Sequence, residues 1–136
     1  MAALCDLILN NEPLLDQLFG AGRFKIKEVN DLCCEIVTDA AQIHVAYDLY
    51  RMTTDSQLRP LQVPEDLSES MPVEWWLRYL DRDDPLRRRG PLTAEQVTAE
   101  LHLVGDIIQS ALATLHAARD AACFLKGYEH GRLDAD

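Results

Sequence analysis

Nine apolar positions near the C-terminus recur with strict spacing. They are Val97, Leu101, Val104, Ile108, Ala111, Leu115, Ala118, Ala122 and Leu125, at alternating steps of four and three. Such a pattern repeats every seven residues and sets all these side chains on one stripe of an α-helix. Thr93 and Gln96 form a capping box at its start, and Gly127 suits its C-terminal end. The spacing predicts one helix over residues 93–126, about 50 Å long at roughly 1.5 Å per residue. Gly105 costs about 1 kcal/mol relative to Ala, which marks a place to kink.

A single domain over residues 1–136 is expected at this length. Its diameter would be about 37 Å, from a radius of gyration of about 14 Å. The helix would then overhang its own domain and leave an apolar seam bare. A second copy is the natural cover, giving a two-fold homodimer. The self-association residues would be Leu101, Val104, Ile108, Ala111, Leu115 and Ala118. The alternative is cover within one chain, by a helix of residues 30–52.

That second helix comes from Asn30 as N-cap and a stripe of Cys33, Ile36, Val37, Ala40, Ile43, Tyr47 and Tyr50. Upstream, residues 2–11 read as a short amphipathic helix, and Pro13 opens another to Phe19. Gly20-Ala21-Gly22 breaks the chain. Phe24-Lys25-Ile26-Lys27 alternates like a strand, but without a partner strand it reads as an extended connector. Residues 53–70, with Pro60 and Pro64, form a long loop. Pro72 starts a short helix to Leu80, and residues 81–91 make a charged turn. The sum is an all-α fold: an antiparallel helical bundle of four to five helices with two long ones.

Charge narrows the function. Lys and Arg number 13 against 23 Asp and Glu, a net charge of −10. Direct nucleic-acid binding draws its affinity from basic residues, so none is expected. The acids cluster. Residues 28–48 hold five with no Lys or Arg, and residues 65–84 hold seven against two Arg. On a helix, Asp31, Glu35 and Asp39 would share one face. With Glu65, Asp66, Glu69, Trp75 and Tyr79 they are the candidate partner-binding residues. The partner would be a protein with a basic surface, and aromatic side chains often anchor such contacts. This describes a small acidic protein of inhibitor, immunity or anti-defence type, or a mimic of nucleic-acid charge. Ten of the 13 basic residues are Arg, which associates with prokaryotic or phage genomes.

Two other readings stand beside it. One is a divalent-metal nucleotide phosphohydrolase, since Mg²⁺ takes oxygen ligands and bridges phosphates. It needs a second acidic pair one helical turn apart, whereas Glu95, Glu100 and Asp106 are spaced five and six. The other is an assembly subunit built around its long helix. No catalytic residue, metal ligand or cofactor motif is predicted. His102, His116 and His130 fall 14 residues apart, about 21 Å along a helix, too far to share a metal. Cys5, Cys33, Cys34 and Cys123 match no metal or redox motif and read as thiols of a reducing compartment. Met1 to Asp6 lacks the basic region of a signal peptide, and no apolar run reaches the roughly 18 residues of a membrane span. A cytoplasmic location is expected.

Overall fold

The computed structural model describes the backbone of residues 3–135 and the side chains of residues 3–127. Two short helices, α1 (Leu4–Leu9) and α2 (Glu12–Phe19), precede four strands. These are β1 (Phe24–Asn30), β2 (Cys33–Thr38), β3 (Ala41–Asp48) and β4 (Thr53–Pro60). A 3₁₀ turn (Glu65–Leu67) leads to the two-residue β5 (Met71–Pro72). Three helices follow: α3 (Val73–Tyr79), α4 (Ala94–Ala111) and α5 (Leu115–Ala135). The five strands form one antiparallel sheet in the order β1-β2-β3-β4-β5.

The expected all-α helical bundle is therefore wrong. The helix predicted over residues 30–52 is two strands and their turns, and the loop predicted over 53–70 contains β4. Period-two alternation governs this stretch. Cys34, Ile36 and Thr38 point inward from β2, and Ala41, Ile43, Val45 and Tyr47 from β3. Residues rich in β-branching and aromatic rings suit a pleated, half-buried surface. The same apolar positions also satisfy a helical stripe, which is why spacing alone misleads. The turns decide it. Asn30 accepts from Leu32 N–H across two residues instead of capping a helix. Thr38 accepts from Ala40 and Ala41 N–H, and Asp48 from Tyr50 and Arg51 N–H. Side chains that cap helices fold equally well into tight turns. With β2 beside it, the supposed connector Phe24–Lys27 gains the partner it lacked and becomes a strand.

The helices cover one face of the sheet. α1 packs on β2, α3 and α4 on β4, and α2 on α4. Leu4, Ile8, Leu15, Ile36, Ile43, Leu58, Trp76, Leu101 and Ile107 fill the layer between them. The buried Trp76 donates from Nε1 to the Met71 carbonyl at 3.2 Å. The second predicted long helix also fails. The apolar repeat keeps its phase, but the backbone breaks after Ala111. Thr114 then caps a new helix, its hydroxyl accepting from Ala117 N–H at 3.0 Å. Thr93 caps α4 in the same way through Gln96 N–H. Helix α5 runs on through Gly127.

The outer edge of β4 is closed by two separate pieces of chain. β5 pairs with its second half, Met71 opposite Leu58. Residues 88–90 pair with its first half, through Thr54 N–H to the Arg88 carbonyl and Gly90 N–H to the Met52 carbonyl. Arg88 also turns its side chain inward. Its Nη1 contacts both carboxylate oxygens of Glu100 at 2.7 Å and donates to the Thr54 carbonyl at 3.1 Å. Its Nε donates to Asp84 at 2.6 Å. Glu100 is 0% exposed. Burial pushes its carboxyl above the ordinary value, while the hydrogen bonds and charge of Arg88 oppose that rise. The Ser56 hydroxyl adds weaker support, beside Glu100 but short of full hydrogen-bond geometry. For Arg88, burial disfavours the charge, but Glu100 and Asp84 outweigh it and raise the pKa. Among the described residues, buried Arg88 Nη2 and Thr54 Oγ1 find no hydrogen-bond partner, so the cluster is not fully compensated there.

Two variants test this packing. Gly105 sits within the unbroken α4 and lets Leu18 of α2 approach, since a Cβ there would lie 2.8 Å from Leu18 Cδ2. Gly105→Leu is expected to destabilise the fold by about 1–3 kcal/mol through overpacking, read from thermal melts. Arg88→Ala is expected to cost about 3–5 kcal/mol, because it strands a buried carboxylate. A carboxyl whose folded pKa is raised is most favourable while protonated. Without Arg88 the Glu100 carboxyl moves higher still, so the deficit should grow as pH rises above the parent's own raised folded value. Melting curves across pH would show it, and a deficit independent of pH would count against this account.

Candidate functional site

The sheet face away from the helices is open and carries a polar network across three strands. Cys33 and Glu35 project from β2, Gln42 and His44 from β3, and Gln57 and Arg59 from β4. Register brings them together: Glu35 lies opposite His44, His44 opposite Gln57, and Gln42 opposite Arg59. The Cys33 thiol sits 3.0 Å from His44 Nε2. On the other side of the ring, His44 Nδ1 is 3.7 Å from Glu35 Oε1. Gln42 Nε2 donates to Glu35 Oε2 at 3.1 Å, and Arg59 donates to the Gln42 amide oxygen. Glu35, Gln42, His44, Gln57, Arg59 and Ser70 line a shallow groove of about 290 Å³. Next to it, Val37 is 37% exposed.

Thiol, imidazole and carboxylate in line resemble a nucleophile with its base and orienting group, but the thiol is shifted away from its reactive form. Burial pushes the Cys33 thiol above its ordinary value, and the nearby Glu35 and Cys5 add to the rise. A reactive cysteine needs the opposite shift. Among the described residues, no group of three or more His, Cys, Asp or Glu can hold a metal. The arrangement orients His44 and Arg59 on the open face of the sheet. A larger groove of about 880 Å³ runs along α4, lined by Leu18, Leu86, Leu103 and Ile108 among others. Its acid, Asp106, is engaged by Arg82 at 3.2 Å, and titratable groups converge less there than on the sheet.

The predicted partner-binding acids do not form one patch. Asp31 lies in the β1–β2 turn, Glu35 in mid-strand, and Asp39 in the β2–β3 turn, bound to Arg23 at 2.8 Å. Eight residues of extended chain separate the outer two by about 26 Å. Glu65 and Asp66 belong to the 3₁₀ turn and Glu69 follows it, beside β5 at the other edge of the sheet. Trp75 is half-buried, and the Tyr79 ring lies 5.2 Å from Phe124. Among the expected self-association residues, Leu101, Val104, Ala111 and Ala118 are buried within their own chain. Ile108 is half-buried and lines the larger groove, and Leu115 is exposed. Glu100 is committed to Arg88, His116 is exposed beside Asp120, and the side chain of His130 lies outside the described residues.

Sequence reasoning missed Gln42, Gln57 and Arg59 as a group, and separated His44 from Cys33. Only cross-strand register joins them, and a helical reading hides it. The alternation of Gln42, His44 and Ala46 against buried neighbours is the signal that could have found them.

The open sheet face and the sheet edges define the class to which this chain belongs: an antiparallel sheet layered on helices, with one face free. Compared with family models, curated proteins and solved structures, the chain matches none. No helix among the described residues is long and apolar enough to cross a membrane.

The cysteines offer a direct check. Cys5, Cys33 and Cys34 are buried and Cys123 is exposed. Burial, followed by the hydrogen bond with Cys5, holds the Cys34 thiol well above its ordinary value. Iodoacetamide at neutral pH is expected to label Cys123 readily while sparing the other three until the protein unfolds. Peptide mass spectrometry reads the order, and early labelling of Cys33 would contradict the site described here.

Proposed function

We propose that the protein is a non-catalytic binding module that uses the open face of its sheet to hold a protein partner. The observation that carries this reading is the cross-strand network from Cys33 to Arg59, whose polar groups are preorganised by neighbours and flanked by exposed Val37. Fixed hydrogen-bonding groups around an exposed apolar residue lower the ordering cost of association. The raised thiol pKa of Cys33 speaks against a nucleophilic reaction at the same place. The dispersed acids act through net charge, which repels nucleic acids and keeps copies apart. Buried thiols fit a reducing, cytoplasmic setting.

The test is affinity capture with the protein and its Val37→Arg variant, both checked for equal melting temperature. Val37 is on the solvent face of β2, so the variant should fold. A partner recovered by the parent and lost from the variant is the expected result. An unchanged set of captured proteins would defeat the proposal.

A further inference from the structure

β1 is the outermost strand of the sheet, and its outer edge has no backbone partner among the described residues. It is seven residues long, about 23 Å of bare N–H and C=O groups at roughly 3.3 Å per residue. Such an edge is a template for another strand. Its two faces differ. Phe24 and Ile26 point toward the helices and are half-buried, with Phe24 edge-on to Phe19 at 6.2 Å. Lys25 and Lys27 point to the open face and are exposed. These are two of only three lysines in the chain.

We propose that β1 takes an extended segment of a protein partner as a sixth strand, and that this segment alternates acidic with apolar residues. The inference rests on the protein-binding reading above and names the kind of segment recognised. Side chains directly opposite one another in a sheet attract when their charges differ and repel when alike. Acids belong opposite Lys25 and Lys27. An apolar residue belongs opposite Ile26, where it extends the layer between sheet and helices. A basic residue belongs opposite Glu28, which ends this run on the helix side. Charges of the −10 beyond about 8 Å are screened at physiological salt; within that reach Glu35 lies opposite Lys27, so Lys25 carries the larger share of the match. Arg23, the next basic residue, is already engaged by Asp39. A second copy fits worse. Two β1 strands paired about Ile26 would set Lys25 against Lys27 on both sides.

The test uses the full chain and a fluorescein-labelled peptide of alternating Glu and Val. Anisotropy should show saturable binding that weakens about tenfold or more between low and high salt. Lys25→Glu/Lys27→Glu, both exposed changes, should weaken it by a similar factor. N-methylation of alternate peptide amides should abolish it, because strand pairing needs those donors. Hydrogen exchange should slow at alternate amides of residues 24–30 when the unmodified peptide binds. Equal binding of the methylated peptide, or protection elsewhere, overturns the inference. So does protection of β1 that rises with protein concentration alone, which would assign the edge to a second copy. If no peptide binds while Val37→Arg still abolishes capture, strand addition falls and the open-face reading stands. If capture is also unchanged, both fall.

Discussion

The contact on which most of the molecule depends is the buried pair of Arg88 and Glu100. Three parts of the chain meet there: the segment after α3, the first half of β4, and the middle of α4. The same residue closes the sheet with its backbone and locks the helical layer with its side chain. An isolated charge in that layer would be prohibitively costly, so each partner requires the other. Arg88 is thus set apart from its neighbours. Arg87 and Arg89 remain exposed, although the three arginines are consecutive. A basic cluster that reads as one solvated loop in fact has its middle member inside.

Once that pair fixes the helices on one side, the other side of the sheet is left to solvent. Antiparallel sheets tolerate this because alternate residues serve the two faces. The inward residues are apolar or small, and the outward ones form the network around His44. Core and surface are therefore made by the same few strands. The groups that orient His44 are rigid because their neighbours in the chain are packed.

The sequence was legible where a local signal had one interpretation. Pro13 at a helix start, the Thr93 cap and the helix opening after Pro72 all follow from short-range chemistry. It was misleading where one signal had two. Ile36, Ile43 and Tyr47 fit a helical stripe, and also fit strands once a turn reverses the chain between Thr38 and Ala41. Asn30 caps helices and turns alike. The apolar repeat from Val97 to Leu125 marked mostly buried positions, but Ile108 is half-buried and Leu115 exposed. It was silent on the break at 112–114, because the apolar spacing of the sequence continues across it. Of the site, Glu35 was picked out, but as part of a helix face. Its real neighbours lie seven and nine residues away across a strand pair, a separation that no local pattern reports.

The two-piece closure of β4 also orders events in time. The Thr54 carbonyl receives Arg88 from 34 residues downstream. A ribosome delivers the chain from its N-terminus, so β1 to β4 emerge well before that arginine. Until it arrives, the first half of the β4 edge is bare as well as the edge at β1, and Glu100, still further on, has not yet been made. The nascent chain is most exposed to strand pairing with other chains during this interval. Its end is set by the appearance of a single side chain and the acid that follows it.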